Sequence, residues 1–457
     1  MEKEKRTAVL IGAATSFITA FSGSSLNLAI PSMGDYFHMG AASVGWLVSV
    51  YILVVAAFSV PIGKIADSTN RKKVLVIGLT MFSISNLICI WASSAAMMLI
   101  LRVFQGIGSA MIFATNMPIA IAKFPGRERG KAIGIVTSGV YTGLALGPVL
   151  GGILNSNFGW KSIFVFATTV SIVAIIVAVT GVDGTQENEG TVHFDLWGNI
   201  TYVIMICSLI YGLTSLNSVK FGWAFILIGL IFGVIFVKVE LAGSHPVIDV
   251  RIFRKDSIYT LSNITALFNY AATYALGYMT SIYLQVANGY SSQTAGFVLI
   301  AQPVLMAVLS PRMGKLSDRI APYKLASAGM GLCALSLLSF VFIGVSTPVF
   351  VIVIALAVAG TGIALFSSPN TNVIMSRVSP ADFGVANAIL STMRTTGQSS
   401  GMAIITIVVS AVVGNASLYS VPAEQLIKTM HIGFAIFTVL CILGIFMSLQ
   451  RKKVTDD

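Results

Sequence analysis

Two arginines stand inside apolar stretches, where a permanent charge is out of place. Arg102 opens the segment Arg102-Val103-Phe104-Gln105-Gly106-Ile107-Gly108, and Arg394 lies with Gln398 deep inside the apolar run 384–413. A guanidinium within a membrane span costs about 2.5 kcal/mol or more on insertion scales, so such a residue is a functional candidate by default. An arginine near a helix end can instead snorkel to the interface. Arg102, six residues into its run 96–122, keeps that second reading open; Arg394, well inside its run, is harder to dismiss that way. Carboxylates are missing from the same depth. The seventeen Asp and Glu fall at the termini, in loops and turns, or, for Glu240, at the end of a run. A membrane pathway for protons or organic cations commonly keeps an acid in the bilayer. Charge complementarity here favours anionic, zwitterionic or neutral amphipathic molecules.

Other polar side chains recur in the apolar runs. Asn27 follows the small residues Ser22-Gly23-Ser24-Ser25. Such a group either faces a cavity or glues two helices together. Tyr270, Tyr274 and Tyr278 sit at i, i+4 and i+8 near Asn269, so they share one helical face. That face can line an aromatic cavity or simply pack. Tyr141, Gln105, Gln302, Asn370, Arg394 and Gln398 complete the candidate cavity set. Pro303 after Gln302 frees a backbone carbonyl. Gly139, Gly143, Gly147 and Gly151 recur every four residues, joined by Pro148 and Gly152. They form one smooth face suited to close helix packing, and the proline kinks it.

Helices must position these residues. The chain has 457 residues, 56% hydrophobic and 10% charged. Soluble domains carry about 25% charged residues. A span needs roughly 20 apolar residues, and its backbone must bond internally, which selects helices. Fourteen runs qualify: 7–30, 43–65, 74–93, 96–122, 131–154, 162–182, 197–216, 221–242, 258–286, 293–313, 323–345, 348–372, 384–413 and 430–450. Trp46 and Tyr51 read as interfacial anchors of the second run. A charged hairpin, Gly63-Lys64-Ile65-Ala66-Asp67 with Arg71, returns 251 residues later as Gly314-Lys315-Leu316-Ser317-Asp318. Such a repeat marks a protein built from two related halves. The expected partition is a first half at 1–182, a polar linker with two inserted helices at 183–256, and a second half at 257–457. Of 28 Lys and Arg, 22 fall on one side of this topology. By the positive-inside rule that side, with both termini, is cytoplasmic. Topology therefore accounts for the net charge of +11, and a nucleic-acid partner is rejected.

These motifs resemble the major facilitator superfamily, and within it the fourteen-span drug:proton antiporter family, over nearly the whole chain. The resemblance implies an all-α major facilitator fold, with two six-helix halves plus two inserted helices. It implies a multi-pass protein of the cell membrane that exports small amphipathic molecules against protons by alternating access. Gly63, Asp67 and Arg71, with Gly314 and Asp318, match the loop motif that latches the halves in one access state. Thr69 and Asn70 stand where the family more often has Arg-x-Gly. Arg102 with Gln105 and Gly106 is similar to a span-4 motif implicated in proton coupling, and Asp67 shares that role. Gly139 to Gly152 resembles the antiporter motif of exporters. Asn27 to Pro31 resembles the span-1 motif, in which an Asp usually occupies the position of Ser22. That departure points away from cationic drugs. An anionic or lipid-like metabolite is the alternative substrate. The expected partners are a small organic substrate, protons and the lipid bilayer, around a monomer.

Nothing in the chain suggests an enzyme. No nucleophile–base pair, metal-ligand spacing or phosphate loop occurs, and no cofactor is expected. Cys89, Cys207, Cys333 and Cys441 all lie in apolar runs at unrelated spacings and read as packing residues. The first run is long enough to span and lacks the exit pattern of a cleaved signal.

Overall fold

The structure, a computed structural model, describes residues 2–122, 129–181, 195–215, 221–243, 246–248, 250–317, 319–378, 383–414, 416–417 and 420–456. Each apolar run lies on a long helix. These helices are α1 (Glu2–Ser25), α2 (Trp46–Ser68), α3 (Arg71–Cys89), α4 (Ala95–Ala122), α5 (Arg129–Phe158), α6 (Lys161–Gly181) and α7 (Leu196–Thr214). Then follow α8 (Gly222–Ala242), α9 (Ser257–Ile282), α10 in two segments (Ser292–Leu299 and Ala301–Leu316), α11 (Pro322–Val341), α12 (Val349–Ser376), α13 (Phe383–Val412) and α14 (Ala423–Asp456). Among the described residues, 12 helices are long and apolar enough to cross a membrane. The long helices outside that set are α5 and α9, of 30 and 26 residues, which carry the glycine row and the tyrosine row.

Packing neighbours repeat along the chain. Helix α1 packs on α5, α4 and α6, and α9 packs on α13, α12 and α14 in the same pattern. The pairs α3–α4 and α3–α6 are likewise matched by α11–α12 and α11–α14. The closest crossings repeat too. A Cβ on Gly108 of α4 would meet the Gly78 carbonyl at 2.8 Å, and one on Gly362 of α12 would meet the Gly329 carbonyl at 2.7 Å. Two seams join the α1–α6 group to the α9–α14 group: α2 against α13, and α5 against α10. Helix α7 packs on both α2 and α13, so it lies along the first seam. Its Tyr202 hydroxyl donates to the Ala56 carbonyl at 3.2 Å. Helix α8 packs on α7 and turns residues such as Trp223, Leu230 and Val234 outward, a face suited to lipid.

Local chemistry sets several boundaries. Asn70 caps α3 by accepting the Lys73 N–H at 3.1 Å. Asp195 caps α7 through the Gly198 N–H at 2.8 Å, and Asp256 caps α9 through the Tyr259 N–H at 2.9 Å. Helix α10 breaks at Ile300, three residues before Pro303, because proline offers no N–H to the carbonyl of residue 299. Pro303 itself lies inside the second segment.

Candidate functional site

Arg102 is buried, with 2% of its surface exposed, so it does not snorkel. Its Nε donates to the Leu47 carbonyl at 2.9 Å and its Nη1 to Gln105 Oε1 at 2.7 Å. Gln105 Nε2 donates to Asn86 Oδ1 at 3.0 Å, and Asn86 Nδ2 to the Phe82 carbonyl at 2.7 Å. The guanidinium carbon lies 4.4 Å from the centre of the Tyr51 ring. The Tyr51 hydroxyl shares a hydrogen bond of 2.8 Å with Ser109. Tyr51 is therefore the aromatic floor under Arg102, not an interfacial anchor, and only 5% of it is exposed. Among the described residues no carboxylate pairs with this cation. It is held by carbonyls, an amide and a ring, which leaves its charge uncompensated in a low-dielectric place.

Arg394, on α13, makes the second cluster. Its guanidinium carbon lies 5.2 Å from the centre of the Tyr270 ring, and Tyr141 on α5 is near enough to interact electrostatically. Its Nε is shielded from solvent and has no hydrogen-bond acceptor among the described residues. Tyr274, one turn along α9 from Tyr270, faces Arg102 and Tyr51. The tyrosine row of α9 thus runs between the two arginines, and each arginine has a tyrosine from the opposite six-helix group beside it. The Tyr270 hydroxyl lies 3.4 Å from Ser367 Oγ, and its ring meets Phe366 edge-on.

Other candidates separate from this centre. Tyr278 is buried in the apolar core, 2% exposed. Gln398 and Gln302 are half-buried. The backbone of Gln302 packs on Gly360, where a Cβ would collide with the Gln302 carbonyl. Asn370 does not line the centre. It donates to the Ser262 carbonyl at 3.1 Å and accepts from Arg451 Nη1 at 2.8 Å, in a knot that fastens the end of α14 to α9 and α12. Arg451 is itself buried in that knot. The placements of Tyr51 and Asn370 differ from expectation for one cause: run edges show depth along the membrane but not rotation about the helix axis.

The glycine row behaves as its spacing predicts. Cβ atoms on Gly139 and Gly143 would collide with the α1 backbone at Ala13 and Phe17, one on Gly147 with Ser24, and one on Gly151 would meet Ser25 Cβ at 2.7 Å. Gly152 meets α10 at Ser292, and Pro148 meets α10 at Gly296. The hairpin glycines differ. Among the described residues a Cβ on Gly63 would meet nothing within 4 Å, and one on Gly314 would meet only Ser368 Cβ, at 3.8 Å. Asp67 lies in the last turn of α2, Arg71 opens α3, and Asp318 lies outside the described residues.

Away from the chain termini the two groups are sewn together by neutral polar groups that sequence reading did not single out. Asn155 Nδ2 donates to Ser292 Oγ at 2.7 Å, and Asn155 Oδ1 accepts from Ser32 at 3.0 Å. Ser292 donates to Gln285 Oε1 at 2.7 Å, Gln285 Nε2 to Ser281 Oγ at 2.8 Å, and Ser281 to the Asn27 carbonyl at 2.7 Å. The Ala41 N–H donates to the Ala416 carbonyl at 2.7 Å. A polar residue at each helix end was the available signal, but only the π-helical segment Tyr283–Ala287 turns Gln285 into register.

The sequence model of the Major Facilitator Superfamily matches residues 12–237 and 263–456. The chain belongs to the Major Facilitator Superfamily. The riboflavin transporter RibZ of Clostridioides difficile is 25% identical over 456 residues, 99% of each chain. The multidrug resistance protein Stp of Mycobacterium tuberculosis is 29% identical over 418 residues, 89% of this chain and 76% of that one. Among solved structures, the POT family transporter PepTSo superposes with a TM-score of 0.71 at 14% identity, covering 98% of this chain and 99% of that one. A bacterial homologue of the human lysosomal transporter Spinster gives 0.68 at 17%, covering 97% of both chains. This major facilitator protein is a multi-span membrane transporter and not an enzyme.

Proposed function

We propose that the chain is a proton-coupled secondary transporter that exports amphipathic organic molecules by alternating access. It is read as a member of the fourteen-span drug:proton antiporters, with all fourteen long helices crossing the cell membrane and both termini cytoplasmic. Residues 1–182 and 257–457 form the two moving halves, and α7 and α8 are the insertion. Arg102 tunes the proton-sensitive network, and the two charged hairpins latch the access state.

The observation that carries the substrate class is the pair of arginines, each set against tyrosines from both groups, with no carboxylate partner for Arg102 among the described residues. Such a site suits planar aromatic compounds that are neutral or anionic. The names of the relatives, one for riboflavin and one for multidrug resistance, agree with that range. The open Nε of Arg394 favours a second reading, a specific anionic metabolite. Inside-out vesicles carrying a pH gradient separate these. Neutral and anionic aromatic amphipaths are expected to discharge the gradient, and Arg394→Ala to abolish the response to anions first. Discharge by cations alone would overturn the substrate class. No discharge by any compound, with binding intact, would overturn proton coupling.

A further inference from the structure

Among the described residues Glu240 is the one carboxylate with no solvent exposure, 0%. It lies in the last turn of α8. Its Oε2 accepts the Ile248 N–H at 2.8 Å. Its Oε1 has no hydrogen-bond partner among the described residues. That orphan oxygen points over Gly198 on α7, 2.5 Å from where a Cβ would stand. Asp195 Oδ2 points at the same spot, so the two carboxylate oxygens lie within about 5 Å of each other, a separation at which like charges strongly oppose joint ionisation. The other Asp195 oxygen is committed to the α7 cap.

We propose that Asp195 and Glu240 form a proton-binding site on the insertion. The proton enters from water through the half-exposed Asp195, forms an O–H bond at Glu240 Oε1, and is donated in a hydrogen bond to Asp195 Oδ2. No other bond forms or breaks.

The surroundings give the site a mechanical consequence. Lys64, from the end of α2, interacts with Glu240 electrostatically. Arg251 is turned to the neighbouring Leu241 carbonyl, which it reaches at 2.7 Å. Among the described residues, α7 contributes only the Asp195 cap and α13 sends no titratable group to Glu240. An ionised Glu240 attracts Lys64, on α2, at longer range than a direct ion pair; a protonated one does not. Because α7 lies along the α2–α13 seam, proton occupancy biases the seam that any rocking of the two groups must use.

Infrared spectroscopy of the full chain in lipid nanodiscs tests the assignment. At about pH 7 exposed carboxyls are ionised. A protonated-carboxyl C=O band is expected there, shifted by ¹³C-glutamate labelling of the wild type, lost in Glu240→Gln and displaced in Asp195→Asn. The chain holds seven glutamates, so the band is assigned to Glu240 by its loss in Glu240→Gln or, should that variant fail to fold, by loss of its sensitivity to the glutamate label in Glu240→Asp. Absence of a label-sensitive band would overturn the proposal, since Glu240 would then be ionised at that pH. A band abolished by sodium but not by potassium would also overturn it, in favour of a metal-cation site.

Discussion

At the residue scale, the energetic problem is a guanidinium with no counter-ion. Arg102 is tolerated because its fork reaches Leu47 and Gln105 together while its face lies on Tyr51. Lysine cannot reproduce this, since it has neither the planar face nor the two-directional fork. A hydrogen bond to a charged group contributes about 1.5–3 kcal/mol, more than a factor of ten in rate if it matters in the rate-limiting state. Arg102→Lys is therefore expected to lower initial transport rates in proteoliposomes by at least about tenfold, while the protein still elutes as a folded species. A wild-type rate would mean that Arg102 serves packing only. Both arginines were conspicuous in the sequence because charge at that depth is rare. Their partners were not. Tyr51 is 51 residues from Arg102 along the chain, and nothing in its own run says which way it faces.

At the scale of elements, hydropathy made the helices legible, and four-residue spacing made the α1–α5 contact legible in kind, since a row of glycines lets two backbones touch. The partner helix was not legible. The matching contact in the α9–α14 group, where a Cβ on Gly397 would stand 2.5 Å from the Leu267 carbonyl, has no comparably regular row to announce it. These contacts separate two classes of glycine. At Gly143 the obstructing atoms include the Phe17 carbonyl and the Phe21 amide, and backbone cannot step aside. Gly143→Ala is expected to reduce the yield of folded protein and abolish transport. Gly63→Ala meets no described atom within 4 Å, so its thermal stability in detergent should match the wild type. If its transport nevertheless falls, the hairpin glycine is needed in a different arrangement of the two groups from the one described. Loss of stability in Gly63→Ala would contradict the geometry.

At the scale of the molecule, the two six-helix groups are held at the end away from the termini by uncharged hydrogen bonds through Asn155, Ser292, Gln285 and Ser281. A neutral hydrogen bond contributes about 1 kcal/mol net. The set can therefore be exchanged for hydration without the large desolvation terms that buried ion pairs carry. That is what a gate requires: firm enough to exclude water, weak enough to open on each cycle. It follows that replacing one of these bonds by a covalent link should stop the cycle without disturbing the fold. Asn155 and Ser292 touch side chain to side chain across the α5–α10 seam. In a background with Cys89, Cys207, Cys333 and Cys441 replaced by alanine, the pair Asn155→Cys and Ser292→Cys is expected to cross-link on mild oxidation. The oxidised protein should bind substrate from the terminal end but transport none, and reductant should restore the rate of the reduced control. Each single variant should transport whether oxidised or not. Full transport by a verified cross-linked protein would mean that this end never opens, and alternating access between these two groups would have to be abandoned.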